Sequence, residues 1–65
     1  MKKILLNGHP HPTSAENIAA LIVELGFPKG TAMVEHNGVA LRPDEWNLPL
    51  AAEDQVEILR IVAGG

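Results

Sequence analysis

The sequence predicts an α+β fold, a mixed four- to five-stranded sheet with one main helix on one face. Three features predict it. Ile18, Leu21, Ile22 and Leu25 stand at i, i+3, i+4 and i+7, the stripe of an amphipathic helix. Asn7-Gly8 and Asn37-Gly38 each divide two short apolar runs, and Asn-Gly tolerates the positive φ angles of a type I′ hairpin turn. Val56 to Val62 is rich in β-branched residues and follows no helical period. The resulting order is β, weak β, α, β, β, short turn, β.

Lys3 to Leu6 is short and aliphatic and reads as the first strand. Its return, His9-Pro10-His11-Pro12, holds two prolines without an N–H, so it is expected as a short edge strand or an extended loop. Thr13-Ser14-Ala15-Glu16 has the spacing of a capping box, which predicts the helix start there. Gly26 suits the left-handed conformation that ends a helix, Phe27 can fold back on the last turn, and Pro28 forbids continuation. Thr31 to His36 and Val39 to Arg42 form the second hairpin. Pro43-Asp44-Glu45-Trp46 reads as a short helical turn with proline first, anchoring Trp46 as a cover of the core. Glu53-Asp54-Gln55 then turns the chain into the last strand, where Val56, Ile58 and Val62 share one face and Leu59 and Ile61 the other. A single helix covers one face only. Leu59 and Ile61 therefore either form an exposed, protein-docking face or lie under loops.

At 65 residues the chain has room for one domain, residues 1–65, with a thin core. A domain of this size buries only about 60 % of the surface of its unfolded chain. The absence of cysteine removes disulfides, thiolate metal ligands and thiol nucleophiles together, so any sulfur the protein handles comes from outside. The apolar stretch after Lys2-Lys3 is too short for a signal peptide or a membrane span, which reads as a cytoplasmic protein without a membrane partner. A net charge of -3 and five scattered cationic residues leave no basic surface for phosphate backbones, which argues against nucleic acid. Mild acidity suits docking onto basic protein faces, and equally an ordinary charged surface.

His9, His11 and His36 form no helical i, i+4 pair and no ligand motif, so no metal site is assigned and they are read as solvent-exposed. Adjacent acids on turns, Asp44-Glu45 and Glu53-Asp54, point apart and suit turn or cap roles better than acid/base work. Thr13 and Ser14 precede no histidine suited to activate them. No catalytic residue is assigned, and the chain is not read as an enzyme.

The chemistry on offer is at Ala63-Gly64-Gly65. With ordinary glycine usage of about 7 %, two glycines stand at a chain end in roughly one chain in 200. Here the pair directly follows the strand expected at the sheet centre, so a compact body would present a flexible tail, residues 63–65, free of bulky side chains. The group it delivers is the Gly65 α-carboxylate, ordinarily titrating at about 3.3–3.7 and therefore ionised near neutral pH and resistant to nucleophiles. Conversion to an acyl adenylate supplies a phosphate leaving group, after which a persulfide or thiolate of a donor protein can add to the carbonyl. The product is a C-terminal thiocarboxylate; taken by themselves, the two glycines fit an ordinary frayed chain end as well.

Val34-Glu35-His36-Asn37-Gly38, the Trp46 that follows Pro43-Asp44-Glu45, the acidic turn before Val56 and the Gly64-Gly65 end resemble the thiamin-biosynthesis sulfur carrier (ThiS) family, over the whole chain. The resemblance implies a ubiquitin-like β-grasp, with the first and last strands parallel at the sheet centre. It also implies three partners: a ubiquitin-activating-like adenylyltransferase that uses ATP to adenylate Gly65, a sulfurtransferase or desulfurase that donates sulfur, and thiazole synthase as acceptor. No cofactor bound by the carrier itself is implied. Two departures from the family's pattern stand out: Leu41-Arg42-Pro43 occurs where Val-Pro-Arg is common, and Glu53 replaces a glycine before the last strand. Two other functions fit a similar chain. The small subunit of molybdopterin synthase ends alike, although the Trp46 segment and the short length speak for thiazole formation. A ubiquitin-like binding module without sulfur chemistry would use the open sheet face instead.

Overall fold

Two Asn-Gly turns set the frame of the sheet. In the computed structural model, which describes residues 1–62, β1 (Lys2–Leu6) turns at Asn7-Gly8 into β2 (His9–Thr13). β3 (Ala32–His36) turns at Asn37-Gly38 into β4 (Val39–Leu41) in the same way. Both asparagines sit at φ 50°, and the glycines at 82° and 83°, the type I′ geometry whose twist matches that of the flanking strands. β5 (Gln55–Arg60) lies between the hairpins, giving the strand order β2-β1-β5-β3-β4. It runs parallel to β1 and antiparallel to β3, so the first and last strands pair in parallel at the centre, as the β-grasp reading expects.

The weak second strand is a strand, and its prolines explain how. The turn makes Leu6 and His9 the first hydrogen-bonded pair, which leaves Pro10 and Pro12, opposite Leu5 and Lys3, at the positions whose N–H would point away from β1. Proline removes donors there without breaking the ladder, which blunts the edge against pairing with another chain.

Helix α1 (Ile18–Glu24) covers one face and buries Ile18, Leu21 and Ile22 against Ile4, Val34, Val56 and Ile58. It does not begin at the expected capping box. Thr13 stays in β2, and its buried hydroxyl accepts from the Ala15 N–H at 3.0 Å while donating to the Glu24 carboxylate at 2.9 Å. The N-cap is Asn17, immediately before the apolar stripe, and its Oδ1 accepts from the Ala20 N–H at 2.8 Å. The helix end follows expectation: Gly26 at φ 80° donates to Val23 O, and Phe27 N–H reaches back to Ile22 O, the paired bonds of a Schellman motif.

A short 3₁₀ turn, η1 (Pro43–Glu45), has proline first and ends on Trp46. Its Glu45 carboxylate accepts from the Arg42 N–H at 2.8 Å, so Arg42 serves as a cap and β4 stops one residue earlier than expected. The Trp46 carbonyl then accepts from the Ala19 N–H at 2.9 Å, satisfying one of the free donors at the start of α1. The indole packs against the core as the expected cover.

The last strand differs from expectation at its end. It spans Gln55–Arg60, and Val62, assigned to the inner face, stands beyond it with 78 % of its surface exposed. The cause is register: β3 begins at Ala32, opposite Arg60, so the ladder that would turn Val62 inward has ended.

Candidate functional site

The expected reactive group, on Gly65, and its neighbours Ala63 and Gly64 lie outside the described residues. What the structure shows is how the base of that segment is held. The Ile61 N–H donates to the Thr31 carbonyl at 2.7 Å, extending the β3–β5 register by one step past the strand. β1 stops at Leu6, and the Asn7 side chain takes over as its continuation. Asn7 Oδ1 accepts from the Ile58 N–H at 2.8 Å, and Asn7 Nδ2 donates to the Ile58 carbonyl at 3.3 Å. The second turn asparagine does the same on the other side, with Asn37 Oδ1 accepting from the Gln55 N–H at 2.8 Å and its backbone N–H donating to Gln55 O at 2.7 Å. Both turn asparagines thus clamp the central strand, a role their turn chemistry alone does not disclose.

A polar knot fixes the start of β5. His36 Nε2 lies 2.7 Å from Asp54 Oδ2, both side chains mostly buried, while Asn37 Nδ2 donates to Asp54 Oδ1 at 3.2 Å and the Ala51 N–H donates to Oδ2 at 2.9 Å. Burial pushes the Asp54 carboxyl up, but these three hydrogen bonds and the charge of a protonated His36 outweigh it and hold the group below its ordinary value. His36 is therefore an enclosed histidine, which corrects the expectation of an exposed one. His11 is partly buried as well, 3.4 Å from Glu24; His9 is exposed. Among the described residues no group of three or more His, Cys, Asp or Glu side chains is gathered to hold a metal ion.

Leu59 and Ile61 stand on the sheet face opposite α1, 65 % and 44 % exposed. Met33, directly across from Leu59 in the β3–β5 register, is 59 % exposed and completes an apolar patch beside the end of β5. Sequence reasoning missed Met33, although the alternation Ala32, Val34 inward implies Met33 outward. The patch belongs to a groove of about 980 Å³ whose lining also includes Glu35, Glu57 and Trp46. No described helix is long and apolar enough to cross a membrane.

A five-stranded mixed sheet gripping one helix, with parallel first and last strands, defines the class as a ubiquitin-like β-grasp protein. Among solved structures, the thiamine biosynthesis protein ThiS from Geobacter metallireducens matches with a TM-score of 0.78 and 28 % identity, over 97 % of this chain and 99 % of that one. No curated protein matches significantly. The model of the ThiS family matches residues 4–65, and the chain belongs to that family of small sulfur carrier proteins.

Proposed function

We propose that this carrier holds sulfur as a thiocarboxylate on Gly65 and delivers it to thiazole formation in thiamin biosynthesis, working in the cytoplasm as a single 65-residue domain. The observation that carries the reading is that the family match runs through residue 65, so it takes in Ala63, Gly64 and Gly65 as well as the folded body. The chemistry follows from the carboxylate. Attack of its oxygen on the α-phosphate of ATP releases pyrophosphate and leaves an acyl adenylate on an adenylyltransferase of the ubiquitin-activating type. The sulfur of a persulfide, supplied by a sulfurtransferase or desulfurase, adds to the carbonyl and AMP departs. A donor thiol then cleaves the S–S bond, leaving the thiocarboxylate on Gly65 and a disulfide on the donor side. Thiazole synthase takes the sulfur, and no cofactor resides on the carrier.

The body supports this by making a firm handle. β5 is tied on both flanks by Asn7 and Asn37, and the patch of Met33, Leu59 and Ile61 lies where a partner receiving the tail would touch it. The test is mass spectrometry after incubation with the host's adenylyltransferase, ATP and a sulfur donor. Replacement of one carboxylate oxygen by sulfur at the C-terminus is the expected result. An unmodified mass would leave a plain binding module as the better reading. Adding one residue after Gly65 is expected to abolish the modification, and transfer by the extended chain would mean that another group reacts.

A further inference from the structure

The open face of the sheet carries a feature that folding alone does not favour. Glu35 of β3 and Glu57 of β5 are directly opposed in the register, both exposed, one rung from the Met33–Leu59 pair. Cβ atoms of directly opposed residues stand about 4.5–5.5 Å apart, a spacing at which like charges destabilise the sheet. Neither glutamate has a salt bridge among the described residues. The cations near them are otherwise placed: Arg42, which lines the same groove, pairs with Asp44 at 3.1 Å, and Arg60 stacks over Phe27. Lys3 pairs with Glu53. Lys29 lines the groove without bridging either glutamate.

We infer that the Glu35–Glu57 rung is a charge-recognition element for a partner protein, which places an arginine or lysine across the two carboxylates while an apolar side chain seats on Met33, Leu59 and Ile61. This rests on the carrier reading and names the chemistry of the partner's face. Two carboxylates on adjacent strands match the fork of a guanidinium, and a cation between them converts a repulsive rung into an attractive one. Geometry constrains the partner further. Glu57 precedes Gly65 by eight residues, and a chain spans at most about 3.3–3.6 Å per residue. The Glu57 backbone therefore lies within about 29 Å of Gly65, and the partner's basic group within that reach plus the length of the Glu57 side chain and one contact.

The inference requires two effects of opposite sign from one double variant. Replacing both acids, Glu35→Gln with Glu57→Gln, is expected to raise the unfolding midpoint by roughly 2–6 °C, because the repulsion is gone. The same variant is expected to raise the KM for the carrier in adenylation by the host's adenylyltransferase, read as pyrophosphate release, by about three- to tenfold. The loss falls on KM rather than kcat. Glu57→Lys is expected to raise KM further, and 0.5 M salt to shrink the gap between wild type and the double variant. Glu16→Gln, away from this face, serves as the control and leaves KM unchanged. A double variant that is more stable yet keeps the wild-type KM would overturn the inference. Absence of pyrophosphate release with the wild-type chain would instead count against the carrier chemistry itself, so the two ideas fail separately.

Discussion

Glu53 occupies φ 69°, a left-handed conformation that side chains with a Cβ resist, and its N–H donates to the Lys3 carbonyl at 2.7 Å. The turn into β5 therefore demands the geometry that glycine supplies freely. Glu53→Gly removes the strain, of about 1 kcal/mol, and gives up an exposed pair with Lys3 worth about 0–1 kcal/mol. A net gain of about 0.5 kcal/mol is expected, read as a higher midpoint in urea with an unchanged slope. The neighbouring Asp54 contributes to the acid sensitivity of the fold. Its folded pKa lies below the ordinary value of 3.8, so the stability it contributes is complete above that value and is lost as pH falls through the folded one. Asp54→Asn is expected to flatten the dependence of stability on pH below about 4, and a variant that tracks wild type there would exclude the His36–Asn37–Asp54 knot as the cause. The turn asparagines were legible as turns because Asn-Gly is local chemistry. Their amide bonds were not, since Asn7 meets Ile58 across 51 residues of sequence.

At the scale of elements, periodicity was a better guide than capping signatures. The stripe beginning at Ile18 located α1, whereas Thr-x-x-Glu did not, because Thr13 is held in β2 opposite Lys2 and its hydroxyl serves Ala15 and Glu24. Asn17, one residue before the stripe, was the available signal. Asn17→Ala is expected to cost about 1 kcal/mol and to shorten the helix at its first turn, measured by denaturant unfolding and far-ultraviolet circular dichroism. The same loss from Ser14→Ala, whose residue lies outside the helix, would contradict this assignment of the cap. Strand ends were misjudged for a related reason. β5 loses its partner where β3 starts, and a β-branched run does not disclose where its neighbour begins.

The whole molecule divides its apolar residues between two tasks. Among the described residues ten are buried between sheet and helix, while Met33, Leu59 and Ile61 stand on the opposite face. At about 0.05–0.15 kcal/mol per residue, a chain this short holds only a few kcal/mol of stability. Leu21→Ala, at a fully buried site, is expected to cost about 2–5 kcal/mol and to leave much of the protein unfolded at 37 °C. Leu59→Asp, on the open face, is expected to change stability by less than about 1 kcal/mol while weakening the partner complex; global unfolding of that variant would show the face to be part of the core after all. The α+β class and helix position were legible because hydrophobic period records them directly. The glutamate rung on the open face was not, because it needs the pairing of β3 with β5, which no local pattern supplies.

Trp46 is the sole tryptophan, in a chain without tyrosine, and its Nε1 is buried and has no hydrogen-bond partner. Near-ultraviolet light absorbed at long wavelength therefore excites one indole, half-buried against the core with its Nε1 enclosed. Because the same ring lines the groove, a partner seated there is expected to shift the indole emission, a titration that needs no added dye.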